Sequence, residues 1–259
     1  MLPGRPGDPV AARPGGIVAV TLEPVLSGSP GLLGGIIAAG EGSRLRRAGW
    51  VVPKPMVLVA GVPLIESAIL NFVAAGITRL SIIVNERECD CAAWVRRRFP
   101  ELDLRLTVKT TASSLESFRE VAGGPGAGRM LVSTVDAWCR AADFARFVEA
   151  ALRRPREATV LAVTPLVADE KPLGAMLDGE GRITALGVES PALVTAGMYL
   201  LSERVRRIEP AAGLGRLREH LAWLVDSGEP IYGDVIETVV DVDRAEDVAL
   251  AEALAARAS

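Results

Sequence analysis

The chain has 259 residues, 49% hydrophobic and 24% charged, with a formal net charge of −3. That composition suits a globular protein with enough chain for a large core, and 29 Lys plus Arg against 32 Asp plus Glu leave no basic surplus to attract nucleic acid. No run approaches the roughly 18 apolar residues that cross a bilayer, and three cysteines (Cys89, Cys91, Cys139) with one histidine, His220, argue against a disulfide framework or a structural zinc site and for a reducing cytoplasm.

Residues 1–30 are rich in Pro and Gly, with a short apolar stretch from Ile17 to Leu22, and read as a flexible N-terminal arm rather than a signal peptide. Residues 31–259 carry no linker or repeat and read as one domain. Leu33 to Ala38 is expected as the first strand. Pro63 to Ala75 has Ile65, Ile69, Phe72 and Val73 on one helical face, and Gly76 ends it. Leu80 to Val84 is a second buried strand. Asp90 to Arg98 is an amphipathic helix with Arg96, Arg97 and Arg98 on its solvated side. Leu104 to Val108 alternates and belongs near a sheet edge.

Ser113 to Ala122 is a short helix, Met130 to Val135 a strand, Ala141 to Leu152 a helix and Ala158 to Thr164 a strand. From Pro165 to Pro191 the pattern weakens and turns appear, notably Asp178-Gly179-Glu180-Gly181. Val194 to Leu201 resumes as a strand, Leu214 to Asp226 and Glu246 to Ala256 are helices, and Ile236 to Val242 is the last strand. Apolar bursts alternating with helical patterns predict an α/β fold: three α/β/α layers around a mostly parallel, Rossmann-like mixed sheet.

The chemistry begins after the first strand. Ala38-Ala39-Gly40-Glu41-Gly42-Ser43-Arg44 is a small-residue loop closed by a cation, and Pro53-Lys54-Pro55 supplies a second one. Glycines let backbone N–H groups approach phosphate oxygens, and fixed cations neutralise charge that shifts during transfer. Leu45 stands where a dinucleotide fingerprint needs its third glycine. Asp136 follows a buried strand directly, at the edge where open α/β sheets collect ligands. A helix N-cap is the plainer reading of Asp136, but Asp143 is better placed for that task.

Together, Ala38 to Arg44, Pro53-Lys54-Pro55-Met56 and Gly61-Val-Pro-Leu-Ile-Glu66 resemble the opening pattern of the sugar-phosphate nucleotidyltransferases. The group extends to the molybdenum-cofactor-type NTP transferases and has a glycosyltransferase-A-like fold. The resemblance implies a triphosphate cradled by Ala38, Ala39, Gly40, Gly42 and Ser43, with Arg44 and Lys54 on its phosphates. It implies Mg²⁺ on Asp136 and on Asp241 or Asp243, from the closing segment Asp241-Val-Asp243-Arg-Ala-Glu-Asp247. It also implies that Ala112, Ser113 and Ser114 read the base and ribose, although Ser113 could equally cap a helix, as Asp243 could. Glu189 and Gly197 would hold a sugar.

The expected activity is a magnesium-dependent transfer from an NTP to a phosphorylated acceptor, above all a sugar 1-phosphate. The alternatives are a cytidylyl- or guanylyltransferase for a non-sugar phosphate and a catalytically silent nucleotide-binding subunit. The expected partners are the NTP and the phosphorylated small molecule, with no nucleic acid, no membrane and homo-oligomerisation allowed, in the cytoplasm.

Overall fold

The computed structural model describes residues 31–166 and 172–257, so the expected arm over 1–30 lies outside the described residues. Strand β1 (Leu33–Ala38) leads through helix α1 (Ser43–Arg47) and a 3₁₀ turn (Lys54–Met56) to a hairpin of β2 (Leu58–Val59) and β3 (Val62–Pro63). Helix α2 (Leu64–Ala74), β4 (Arg79–Val84), α3 (Cys89–Arg98), β5 (Asp103–Val108) and α4 (Ser114–Ala122) follow. Then come β6 (Met130–Thr134), β7 (Ala137–Trp138), α5 (Ala141–Arg153) and β8 (Thr159–Thr164). The remainder is β9 (Gly174–Leu177), β10 (Ile183–Leu186), β11 (Leu193–Leu201), α6 (Glu203–Arg207), α7 (Leu217–Asp226), β12 (Ile231–Val235), β13 (Val240–Asp241) and α8 (Ala245–Ala256).

Among the described residues, nine strands make one sheet in the order β10-β9-β11-β6-β1-β4-β5, with β8 pairing β11 and β12 beside that path. Strands β6, β1, β4 and β5 run parallel, and β11 runs antiparallel to β6, β8 and β9. This is the expected mixed, mostly parallel sheet, with β5 at its edge as its alternation predicts. The pleat sends side chains to two cores. Ile36, Leu131, Val160 and Met198 face one that α2, α3, α5 and α8 cover. Leu33, Val132, Leu161 and Leu201 face the other, under α4, α6 and α7. The three layers follow from that division.

Several sequence expectations are corrected. The last large-sheet strand is β12, not Ile236 to Val242. Gly233 hides β12 from a propensity reading, yet a Cβ there would come within 2.8 Å of the Leu177 side chain. Ile236, Val239 and Val242 are buried core residues, and only Val240–Asp241 pairs as a strand, in a separate two-stranded sheet with β7. The weak segment after Pro165 holds the hairpin of β9 and β10. Its turn is tied by Asp178, whose Oδ1 accepts from the Glu180 and Arg182 N–H groups. Asp143 is not the cap of α5. Arg140 stands at that position, and Asp143 lies within the first turn, where Arg140 and Arg146 donate to its carboxylate. Arg96 and Arg97 are exposed as expected, whereas Arg98 pairs with Glu66, its Nε 2.8 Å from Oε1.

Candidate active site

The carboxyl ends of β1, β4 and β6 lie side by side, and the site is built along that edge. Ala38, the last residue of β1, and Ala39 are buried, and Gly40 is exposed. Gly42 has φ +57°, and a Cβ there would stand 2.9 Å from the Lys54 Cβ. Both its backbone and its lack of a side chain are needed, because the loop passes directly over Lys54. Buried Asn85, at the end of β4, fastens the loop. Its Nδ2 donates to the Ala39 carbonyl at 3.3 Å, and its Oδ1 accepts from Thr110 Oγ1 at 3.2 Å.

Lys54 is buried to 7% exposure. Its Nζ donates to Asp136 Oδ2 at 2.6 Å and also to Asp243 Oδ1. Arg44 Nη1 donates to the other oxygen of Asp243. Burial alone would lower the Lys54 pKa. The carboxylates of Asp136, Asp243 and Asp241 outweigh it and hold the ammonium well above its ordinary range. Burial likewise pushes the Asp136 carboxyl up, but Lys54, with help from Thr134, keeps it below the usual carboxylate range.

The third carboxylate arrives from far along the chain. Strand β13 pairs antiparallel with β7, setting Asp241 opposite Ala137, and the Val242 N–H donates to the Asp136 carbonyl at 3.0 Å. Carboxylate oxygens of Asp136, Asp241 and Asp243 lie within 4.8 Å of one another. Asp243 does not cap α8. Asp247 accepts from the Arg244 and Asp243 N–H groups at 2.8 and 3.0 Å, which leaves the Asp243 side chain for the two cations. Clustered hard oxygen donors, partly open to solvent and next to fixed cations, fit a divalent ion such as Mg²⁺ that also takes phosphate oxygens.

Asp136 and Asp241 also line a cavity of about 180 Å³, together with Thr134, Gly197, Tyr199 and Arg218. Gly197 has φ +70°, at a register shift in β11, and a Cβ there would meet Thr134 Oγ1 at 2.7 Å and Ala137 Cβ at 2.9 Å. The cavity floor therefore needs a glycine. Burial raises the pKa of the Tyr199 hydroxyl, and the nearby Asp136 and Asp241 carboxylates add to it, so this phenol stays neutral.

Other predicted positions lie elsewhere. Glu189 is exposed and outside the cavity lining. Ser113 caps α4, accepting from the Glu116 N–H at 3.1 Å, and the Ala112 N–H donates to Glu116 Oε2 at 2.7 Å. Ser114 Oγ accepts from the Leu217 N–H at 3.1 Å and joins α4 to α7. Tyr199 closes the segment Thr195-Ala-Gly-Met-Tyr199, which resembles the family's Asn-x-Gly-x-Tyr, whereas Asn85, Thr134 and Arg218 belong to no motif read from the sequence. Asn85 carries a usable signal, a lone amide directly after the apolar run Ile82-Ile83-Val84. Arg218 carries none, since nothing in a helical pattern tells a cavity-facing arginine from a solvated one.

A cluster of glycine loop, cations and carboxylates at the strand ends of a mixed sheet defines a phosphate-handling α/β protein. The Nucleotidyl transferase family matches residues 33–209, and the chain belongs to it. A 2-aminoethylphosphonate cytidylyltransferase from Lancefieldella rimae is 37% identical over 70 residues, 27% of this chain and 28% of the relative. The chain thus aligns with under a third of that relative's length. Among solved structures, the inositol-1-phosphate CTP transferase from T. maritima superposes with a TM-score of 0.72 at 17% identity, covering 83% of this chain and 90% of that one. A Bacillus anthracis protein assigned as a glucose-1-phosphate thymidylyltransferase, in complex with a sucrose, gives 0.73 at 20% identity, covering 86% and 95%. These two likenesses show the fold. Among the described residues no helix is long and apolar enough to cross a membrane.

Proposed function

We propose that the protein joins the nucleotidyl group of an NTP to a small phosphorylated acceptor, a sugar 1-phosphate in the first instance, and releases pyrophosphate. The observation that carries this reading is the position of Lys54. It lies under the glycine loop and is bonded to Asp136, which also borders the separate 180 Å³ cavity. One cation thus stands between a place for the triphosphate and a place for the acceptor.

In this reading an acceptor phosphate oxygen attacks the α-phosphorus, and the bond from that phosphorus to the β-bridging oxygen breaks. The acceptor oxygen is already ionised at neutral pH, so no general base is required. Lys54 and Arg44 bind the phosphates and reduce the repulsion between two anions brought together. The glycine loop with Ser43 carries the triphosphate. The turn at Ala112, Ser113 and Ser114, close to the Thr110 that Asn85 ties to the loop, would border the base, although its hydroxyls and the Ala112 N–H are engaged. Arg218 and Tyr199 orient the acceptor in the cavity. Asp136 and Asp241 would hold the Mg²⁺, which when bound adds charge neutralisation on the phosphates.

A second reading, a cytidylyltransferase acting on a non-sugar phosphate or phosphonate, is favoured by Glu189. Its exposed position leaves the cavity without the carboxylate that the sugar reading assigned to a hydroxyl. The relatives with inositol 1-phosphate and 2-aminoethylphosphonate in their names point the same way. Pyrophosphate release with each NTP and Mg²⁺, against glucose 1-phosphate, inositol 1-phosphate and 2-aminoethylphosphonate, separates the two. Release with the sugar phosphate supports the first reading, and release only with CTP and a non-sugar acceptor replaces it with the second. Nucleotide binding without release under any pairing would sink both and leave a silent nucleotide-binding subunit.

A further inference from the structure

The three carboxylates of the cluster do not face the same way. Asp136 and Asp241 border the acceptor cavity, whereas Asp243 is absent from its lining. Asp243 faces the glycine loop instead, with one oxygen taken by Lys54 and the other by Arg44. Its backbone is fixed as well, because its N–H donates to Asp247 Oδ2 at 3.0 Å. A carboxylate held rigidly at the start of α8 thus fastens both cations, which come from two different segments after β1.

We infer that Asp243 is a positioning residue for Arg44 and Lys54, and that the metal is carried by the cavity-facing pair, Asp136 and Asp241. The donor inventory permits this. An ammonium has three N–H donors and a guanidinium five. Lys54 can therefore keep Asp136 and Asp243 while offering its third proton to a phosphate, and Arg44, held to Asp243 through Nη1, presents its guanidinium charge beside the loop that takes the phosphates. Arg44 needs the help more. Its side chain is 37% exposed against 7% for Lys54, and it lies on a five-residue helix. Holding a flexible arginine in its bound geometry before the nucleotide arrives removes an ordering cost from binding. Lys54 is already stiffened by Pro53 and Pro55 and by Asp136.

The inference rests on the proposed site and is tested without an acceptor. Mn²⁺ is titrated into the protein with an equimolar mixture of ATP, CTP, GTP and UTP, and protein-bound Mn²⁺–nucleotide is read by water-proton relaxation enhancement. Asp241→Asn is expected to abolish the enhancement. Asp243→Asn is expected to keep it at saturation while raising the apparent dissociation constant about tenfold, and Asp243→Glu to restore most of that loss. In an Arg44→Met background, Asp243→Asn should add less than twofold, because the cation that depends on it most is gone and Lys54 is still held by Asp136. Loss of the enhancement in Asp243→Asn, with Asp241→Asn like the wild type, would make Asp243 the ligand and overturn the assignment. An unchanged dissociation constant in Asp243→Asn and Asp243→Glu, both folded by circular dichroism, would overturn the positioning role. No enhancement in the wild-type protein would instead count against the whole site reading.

Discussion

The proposed nucleotide side of the site and the proposed acceptor side are assembled differently. On the nucleotide side, the loop, Arg44 and Lys54 fall between Ala38 and Lys54, on chain that leaves one strand. On the acceptor side, the cavity takes Asp136 from the end of β6, Gly197 and Tyr199 from β11, Arg218 from α7 and Asp241 from β13. A triphosphate presents the same charges whatever its base, so one compact segment can meet it. An acceptor must be enclosed from several directions, and only tertiary structure provides them.

The largest effect that would break this comparison belongs to the nucleotide side. Lys54→Met is expected to lower pyrophosphate release by about 10³-fold, the scale of losing one preorganised donor to a developing charge. Circular dichroism should show the fold retained. Full turnover would mean that the two sides do not meet at Lys54. Next comes Gly197→Val on the acceptor side. It must carry φ +70° and a side chain against Thr134 and Ala137, which costs about 1–3 kcal/mol of stability. Nucleotide-induced thermal shift should survive, while the acceptor KM rises about tenfold. Equal loss of nucleotide binding would merge the two sides.

A pH series separates two buried groups outside the site, one on each side of the sheet's central strands, whose effects on stability have opposite signs. Glu88, after β4, is buried, and that burial pushes its carboxyl up to about 7, with Arg46 opposing. In the folded state it keeps a proton that the unfolded chain releases near 4.5. Its stabilisation is therefore complete below pH 4.5, falls as pH rises towards 7, and is constant above. His220 of α7 is buried against Phe118 and Trp223, and burial, then Arg119, lowers its pKa from 6.5. The unfolded chain takes up the proton first, so stability is lost as pH falls below about 6.5. Glu88→Gln should reduce the drop in Tm between pH 5 and pH 8. His220→Gln should lower Tm at every pH through lost ring packing, and should flatten its pH dependence only below pH 6.5. Identical profiles in the two variants would refute the opposing signs.

The smallest expected effect is Ser113→Ala. It removes the cap of α4 and should cost about 1 kcal/mol, seen as a Tm lower by about 2–4 °C. Nucleotide selectivity should not change, since the hydroxyl is spent on the Glu116 N–H. A changed preference among the four NTPs would restore Ser113 as a base-reading residue.

The same contrast explains what was legible in the sequence. Leu33 to Ala38, Leu80 to Val84 and Met130 to Val135 announce themselves as buried parallel strands because both faces are apolar. Lys54 and Asp136 stand out because a charge beside prolines, or at the end of such a run, has no packing reason to be there. Strands β9 and β10 are short and half solvated, so their pattern is faint. Arg218 was hidden for another reason. A residue becomes part of a cavity only through its neighbours, and Glu189 shows the converse, a residue that fits a motif yet points elsewhere. The roles of Asp241 and Asp243 differ by which way two residues of one short segment face, which composition and spacing do not encode.

The pairing of β13 with β7 has a consequence for synthesis and for damage. Asp241 and Asp243 follow nearly all of the sheet in chain order. A chain interrupted before Val240, by a stalled ribosome or a protease, would still hold β1, the glycine loop, Lys54 and Asp136. It would lack two of the three carboxylates and, with Asp243, the tie that joins Arg44 to Lys54. Such a molecule would lose metal–nucleotide binding together with transfer, and Val240, Val242, Val248 and Ala251 would leave the core with it, so β13 and α8 couple the integrity of the fold to that of the site.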